Sequence, residues 1–243
     1  ALAARSAEVQ VRFKEVTILQ ISDYHGQLVP LSDAADNLSG GGASNPSFDI
    51  GGAAFLKPWF DWYRAEATGG SLTVSGGDSV GATPPISNFF EDKPAVEIMN
   101  LMGFDSDGIG NHNFDAGYEH LLNTIIPLAD FPYLTANVVQ TGDVPPGWQP
   151  SAVWNFSGFK LGIVGFTNAD LEELIFPGNL GPFEITDAVA AVNAEAAALR
   201  AKGVKVVIAV GHEGATAGTL SNPTGPLVAI ADAVAGVDAV LGD

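Results

Sequence analysis

Four apolar runs in this chain each stop at a side chain that can bind a metal ion, and this restricts the fold more than any other feature. The runs are Val16–Ser22, Leu72–Ser75, Ser106–Ile109 and Val204–Val210, ending at Asp23 and His25, at Asp78, at Asn111 and at His212. Short aliphatic and β-branched runs of this kind suit buried strands. Between and after them lie segments with helical periodicity: Gly51–Ala67, Pro94–Met102, Gly117–Leu128, Asp187–Lys202 and Leu227–Val234. Strand–helix alternation predicts an α/β core with mostly parallel strands. Such a sheet lines up the carboxyl ends of its strands along one edge, where ligands bind. Residues remote in sequence should therefore meet in one pocket.

Two further strands are predicted at Tyr133–Val138 and Val237–Leu241. A hairpin of Ala152–Phe156 and Lys160–Phe166 around Ser157-Gly158-Phe159 brings antiparallel pairing into the core, so the sheets should be mixed or doubled. The helix from Gly51 is expected to turn Trp59, Phe60 and Tyr63 inward, with Pro58 bending it or marking a start. Thr186 is positioned to cap the helix that begins at Asp187. Ser32–Phe48, rich in Gly, Ser, Asn and Asp, reads as a mobile loop. No repeat or linker divides the chain, which at 243 residues can bury one large core.

Composition removes several function classes. A formal charge of −18 argues against a nucleic-acid surface, which needs clustered Lys and Arg to displace counterions. It does not exclude a phosphorylated small substrate, because a bound divalent cation reverses the local field. With no cysteine, there are no disulfides, thiolate metal sites or cysteine nucleophiles. No apolar run is long enough for a transmembrane helix. The small residues of Ala1–Ala7 fit either the stub beside a signal-peptidase cut or an ordinary terminus; the first implies a periplasmic, secreted or cell-surface protein.

Taken singly, the motifs are ambiguous. Asp23-Tyr24-His25 puts carboxylate and imidazole on one side of extended backbone, yet also describes a turn acid beside a hydrogen-bonded histidine. Asp78 after Gly76-Gly77 offers a carboxylate that can bridge two cations, or a capping acid. In Gly110-Asn111-His112-Asn113-Phe114-Asp115, the amide oxygen suits a divalent ion, the imidazole can move a proton, and Asp115 can fix its tautomer. His212 follows a strongly apolar strand; Glu213 beside it reads as a neighbouring or exposed acid, and His120 as structural or exposed. Together, three of the four histidines with Asp23, Asp78 and Asn111 sit at successive strand ends. That pattern points to a shared nitrogen/oxygen site for Zn, Mn, Fe or Co.

The segments Ile18–Gln27, Ser75–Asp78, Gly110–Asp115 and Gly211–Gly214, in this order, resemble the motifs of the calcineurin-like metallophosphoesterases. The 5′-nucleotidase/UDP-sugar hydrolase branch is the nearest match. The resemblance implies a four-layer α/β/β/α sandwich in which residues 16–243 form the catalytic domain and residues 1–15 a lead-in. It implies two divalent ions, Asp23 and His25 holding one, Asn111 and His212 the other, and Asp78 bridging both. It assigns His112 as the catalytic histidine and Asp115 as its partner. The implied reaction, part of nucleotide catabolism, is hydrolysis of phosphate monoesters, foremost nucleoside 5′-phosphates, by a hydroxide between the ions. Rival readings are a sister hydrolase of cyclic nucleotides, UDP-sugars or a thiosulfonate, and a secreted metal-binding module without catalysis. Asn113 stands where the family often has Glu. The family's final Gly-His-x-His/Gln ligand motif would begin at Asp243, so a downstream domain or companion polypeptide is expected to supply the remaining ligands.

Overall fold

A computed structural model of the chain describes residues 13–31 and 50–243. The expected loop at Ser32–Phe48 and the residues Ala1–Ala7 lie outside that range. In chain order the strands are Thr17–Ile21 (β1), Ser71–Ser75 (β2), Asp107–Gly108 (β3), Tyr133–Leu134 (β4), Val138–Gln140 (β5) and Ser151–Phe156 (β6). They continue with Phe159–Thr167 (β7), Phe183–Ile185 (β8), Val206–His212 (β9), Ala217–Thr219 (β10), Asn222–Thr224 (β11) and Ala239–Leu241 (β12). Four described helices reach eight residues or more: Ala53–Glu66 (α1), Lys93–Met102 (α2), Ala188–Ala201 (α3) and Pro226–Ala233 (α4).

β1 and β2 run parallel with Ile18 opposite Leu72, and β3 and β4 extend this sheet through the Val74–Ser106 bridge and the Asp107–Tyr133 pairing. The second sheet has the order β12-β9-β7-β6, parallel except for the β6–β7 hairpin. Leu72, Val74 and Leu134 of the first sheet meet Leu161, Ile163, Ile208 and Val210 of the second in a buried core. α1 and α2 cover the outside of the first sheet, and α3 the outside of the second. The layers are thus α/β/β/α, with mixed sheets.

The local chemistry explains the coverage. In α2 the buried positions Ala95, Val96, Met99 and Met102 form one stripe, and Gly103 closes the helix in the left-handed conformation with φ 74°. Burial of Val96, Met99 and Met102 contributes about 1.5–3 kcal/mol each. α3 buries Ala188, Val192, Ala196 and Leu199, whose small members let it lie close on β7 and β9.

Some expectations need correction. Phe60 is buried, but Trp59 and Tyr63 are 52% and 47% exposed. They stack on Trp62 across the solvent side of α1, which spends their apolar area on each other. Asp187, not Thr186, caps α3, accepting from the Ala190 amide at 2.6 Å. The Gly117–Leu128 helix breaks into one α turn, one π turn and one 3-10 turn, the last carrying Pro127. Tyr133–Val138 divides into β4 and β5, which join different sheets. The β10–β11 hairpin and β8 carry too little apolar pattern to be read in advance.

Asp107, on β3, is a fully buried acid whose oxygens make no well-formed hydrogen bond. Burial pushes its carboxyl up to about 7, against the pull of the nearby Ser75 and Ser79 hydroxyls and with some help from the Asp78 charge. Between its ordinary value of 3.8 and about 7, the folded chain therefore keeps a proton that the unfolded chain releases. Stability should fall as pH rises through that window, by a few kcal/mol in total. Asp107→Asn should flatten the decline and exceed the wild type above pH ~7 in urea unfolding of the metal-free chain. A variant with the wild-type pH profile would contradict this assignment.

Candidate metal centre

Beyond β1 the chain does not stay extended. Asp23 has φ 52° and His25 φ 45°, and Asp78 beyond β2 has φ 54°. The two turns are joined amide by amide: Asp23 N to Gly77 O (3.1 Å), His25 N to Asp78 O (3.0 Å) and Gly26 N to Ser79 O (3.0 Å). Asp23 and His25 therefore share a side because a left-handed turn places them there, and not through strand alternation. Among described non-glycine residues, positive φ occurs only at Asp23, His25, Asp78, Ala82, Glu91 and Asp92. Such conformations cost of order 1–3 kcal/mol each, somewhat less for Asp and His, and collect at functional sites.

Asn111 follows β3 and starts one 3-10 turn, His112–Phe114. Asn113 Oδ1 accepts the Gly110 amide at 2.8 Å, and Asp78 Oδ1 accepts the His112 amide at 2.9 Å. His212 is the last residue of β9. The donors do not share the edge of a single sheet, as the strand pattern predicts: Asp23, Asp78 and Asn111 follow strands of the first sheet and His212 ends a strand of the second, and they meet where the two packed sheets adjoin. His212 Nε2 is 3.0 Å from Asp78 Oδ2 and 3.1 Å from Asn111 Oδ1. Asp23 Oδ1 is 3.6 Å from His25 Nε2. Ligand atoms of His25, Asp78 and His112 lie within 4.8 Å of one another, as do those of Asp23, His212 and Asp243. Asp78, Asn111 and His212 form the buried floor, while Asp23 and Asp115 stand at the exposed rim.

Second contacts orient the rings. His25 Nδ1 donates to the Gly81 carbonyl at 2.8 Å, which turns Nε2 towards the cluster. His112 Nδ1 lies 2.8 Å from Asp115 Oδ2, which also accepts the Ala82 amide at 3.0 Å. The His112 ring sits edge-on to that of His25, 5.0 Å between centres. Beside the pair is a cavity of about 170 Å³ whose lining includes Asn88, Asp92, Asp115 and His120.

The electrostatics suit a cation. Burial disfavours the His212 imidazolium, yet the hydrogen bond and charge of Asp78, with Asp243 and Asp23, hold its pKa up at about 9. His212 Nδ1 approaches Asp243 Oδ2 to 3.0 Å without hydrogen-bond alignment. The contact is an ion pair and not a formed hydrogen bond, and it adds a further carboxylate to the cluster. The set contains imidazole, carboxylate and amide oxygen only, and it fits a borderline divalent metal. Asp243 was passed over in the sequence, although it follows the apolar run of β12 as the other donors follow theirs.

No family model matches the chain. It is 32% identical over 232 residues to the 5′-nucleotidase of Rattus norvegicus, covering 94% of this chain and 37% of that enzyme. It is 28% identical over 217 residues to the cell wall protein Lmo0130 of Listeria monocytogenes, covering 81% of this chain and 27% of that protein. The calcineurin-like phosphoesterase YfkN of Bacillus subtilis superposes with a TM-score of 0.70 at 22% identity, over 93% of this chain and 71% of that one. The chain thus has the calcineurin-like phosphoesterase fold. Within that class it is similar in sequence to the 5′-nucleotidase of Rattus norvegicus, and it spans little more than a third of that enzyme's length.

Gly110 tests the tightness of the cluster. A Cβ there would stand 2.1 Å from Asp78 Oδ1 and 2.8 Å from His212 Cδ2. Gly110→Ala should weaken Mn²⁺ binding at least tenfold in titration calorimetry while the far-ultraviolet circular dichroism is kept. Unchanged affinity would show that these donors do not bind the ion.

Proposed function

We propose that residues 16–243 form the catalytic domain of a metal-dependent hydrolase of phosphate monoesters, with nucleoside 5′-phosphates as the substrate class. The convergence of Asp23, His25, Asp78, Asn111 and His212 beside the His112–Asp115 pair supports this reading. The similarity to the rat 5′-nucleotidase supports the substrate class. In this proposal Asp23 and His25 hold one divalent ion, Asn111 and His212 a second, and Asp78 faces both. When bound, the ions supply charge for the phosphoryl oxygens and acidify water at neutral pH. A downstream region, such as the longer relatives have, would complete the ligand set and grip the nucleoside. A secreted or cell-surface location is part of the same proposal. No described helix is long and apolar enough to cross a membrane.

The chain's own residues then divide the remaining work. Hydrolysis exchanges the phosphorus–oxygen bond of the leaving alcohol for one to water, so the departing alkoxide needs a proton. His112 is the donor: with Nδ1 engaged by Asp115, its Nε2 carries the exchangeable proton in the imidazolium form. Asp115 holds the ring in place through its contact with Nδ1. The buried carboxylate and amide floor gives the cations a fixed, water-poor seat.

His112→Asn should lower kcat for a nucleoside 5′-monophosphate by about 10²–10⁴-fold with Mn²⁺ or Zn²⁺ present, and leave bound metal unchanged by atomic absorption. Wild-type turnover in that variant would remove His112 from the chemistry. No hydrolysis by the metal-supplied chain, even with the downstream region of a relative added, would overturn the proposal.

A further inference from the structure

Asp92 is the residue immediately before α2, a position where aspartate ordinarily accepts from the first amides of its own helix. Here it does not: no side-chain cap bond is made. The residue adopts φ 59°, next to Glu91 at φ 60°, and its carboxylate is turned away from the helix into the protein. It is only 9% exposed. One oxygen accepts the Gly81 amide at 3.0 Å and the other accepts the Thr83 hydroxyl.

The turn it grips touches both halves of the centre. The Gly81 carbonyl receives His25 Nδ1, and the Ala82 amide donates to the carboxylate that holds His112. The turn has no slack. Ala82 is left-handed at φ 47°, and a Cβ on Gly81 would come within 2.1 Å of the His112 carbonyl oxygen. A strained turn of this kind persists only where neighbours over-determine it. A buried carboxylate with two donors on it is a strong restraint of that sort.

We infer that Asp92 is a positioning residue: by clamping the 81–83 turn, it sets the orientation of His25 and of the His112–Asp115 pair together. Its carboxylate makes its described hydrogen bonds to Gly81 and Thr83 and not to a candidate ligand, so it acts through the 81–83 turn. Among the described residues, its two left-handed neighbours in this arrangement, Ala82 and Glu91, complete the set of non-glycine positions with positive φ outside the donors themselves. The consequence for rate rests on the hydrolase reading, whereas the consequence for ring orientation does not.

The test compares wild type, Asp92→Asn, Asp92→Ala and Thr83→Val in the 243-residue chain. Imidazole ¹H–¹⁵N spectra of the metal-free proteins report the tautomer and hydrogen bonding of His25 and His112, and titration calorimetry gives Mn²⁺ affinity. Asp92→Ala should disturb both rings at once and weaken Mn²⁺ binding about 10–100-fold. Asp92→Asn, which keeps an acceptor for Gly81, should recover most of that loss. Thr83→Val, which removes one clamp bond and keeps the shape, should fall between them and serves if Asp92→Ala does not fold. Unaltered His25 and His112 signals, with Mn²⁺ affinity within about twofold of wild type, would overturn the inference. Should the wild type bind no Mn²⁺, the metal proposal fails while the imidazole spectra still decide the clamp.

Discussion

The three amide–carbonyl bonds that join the turn after β1 to the turn after β2 are the restraint on which the rest of the centre depends. They hold Asp23, His25 and Asp78 in left-handed backbone that none would adopt alone at no cost. Parallel pairing of β1 with β2 brings the two turns level, and the apolar core between the sheets brings β9, with His212 at its end, up against them. A layered fold thus spends the free energy of burial on placing polar groups where they would otherwise repel or strain one another. Asp78 and His212 show the outcome: two nearly buried ionisable side chains 3.0 Å apart, stable only as an oppositely charged pair or around a cation.

A graded set of restraints runs outward from that floor. Asp78 and His212 are fixed by strand ends and main-chain bonds. His25 is turned by a single backbone carbonyl, and His112 by a single carboxylate, each belonging to or held by the 81–83 turn. Precision at the two rings is therefore no better than precision at that turn. This accounts for a buried acid at position 92 whose side chain ignores the helix it precedes.

Much of the layout was legible from the sequence because it rests on periodicity. Val16–Ser22, Leu72–Ser75 and Val204–Val210 are aliphatic enough to announce strands with aligned carboxyl ends, although the third run lies in the second sheet and reaches the others only through packing of the two sheets. What was not legible came from tertiary context. Trp59 and Tyr63 satisfy a helical apolar pattern but stack on Trp62 outside, since α1 presents only part of that face to the sheet. Thr186 and Asp187 are both competent caps, and only the backbone geometry selects the second. Asp23 and His25 were expected on extended chain, yet the amides of the β2 turn draw them into the left-handed region. Asp92 gave no local signal, because its carboxylate reaches eleven residues back, whereas Asp243 shares the strand-end signal of the other donors and joins partners far along the chain.

The central claim is that these scattered donors meet around a pair of neighbouring ions. Anomalous X-ray diffraction from crystals soaked in Mn²⁺ or Zn²⁺ tests it most directly. The account predicts two peaks flanking the Asp78 carboxylate, one about 2.0–2.2 Å from ligand atoms of Asp23 and His25 and the other equally near Asn111 and His212. A single peak away from Asp78, or none at saturating metal, would contradict it.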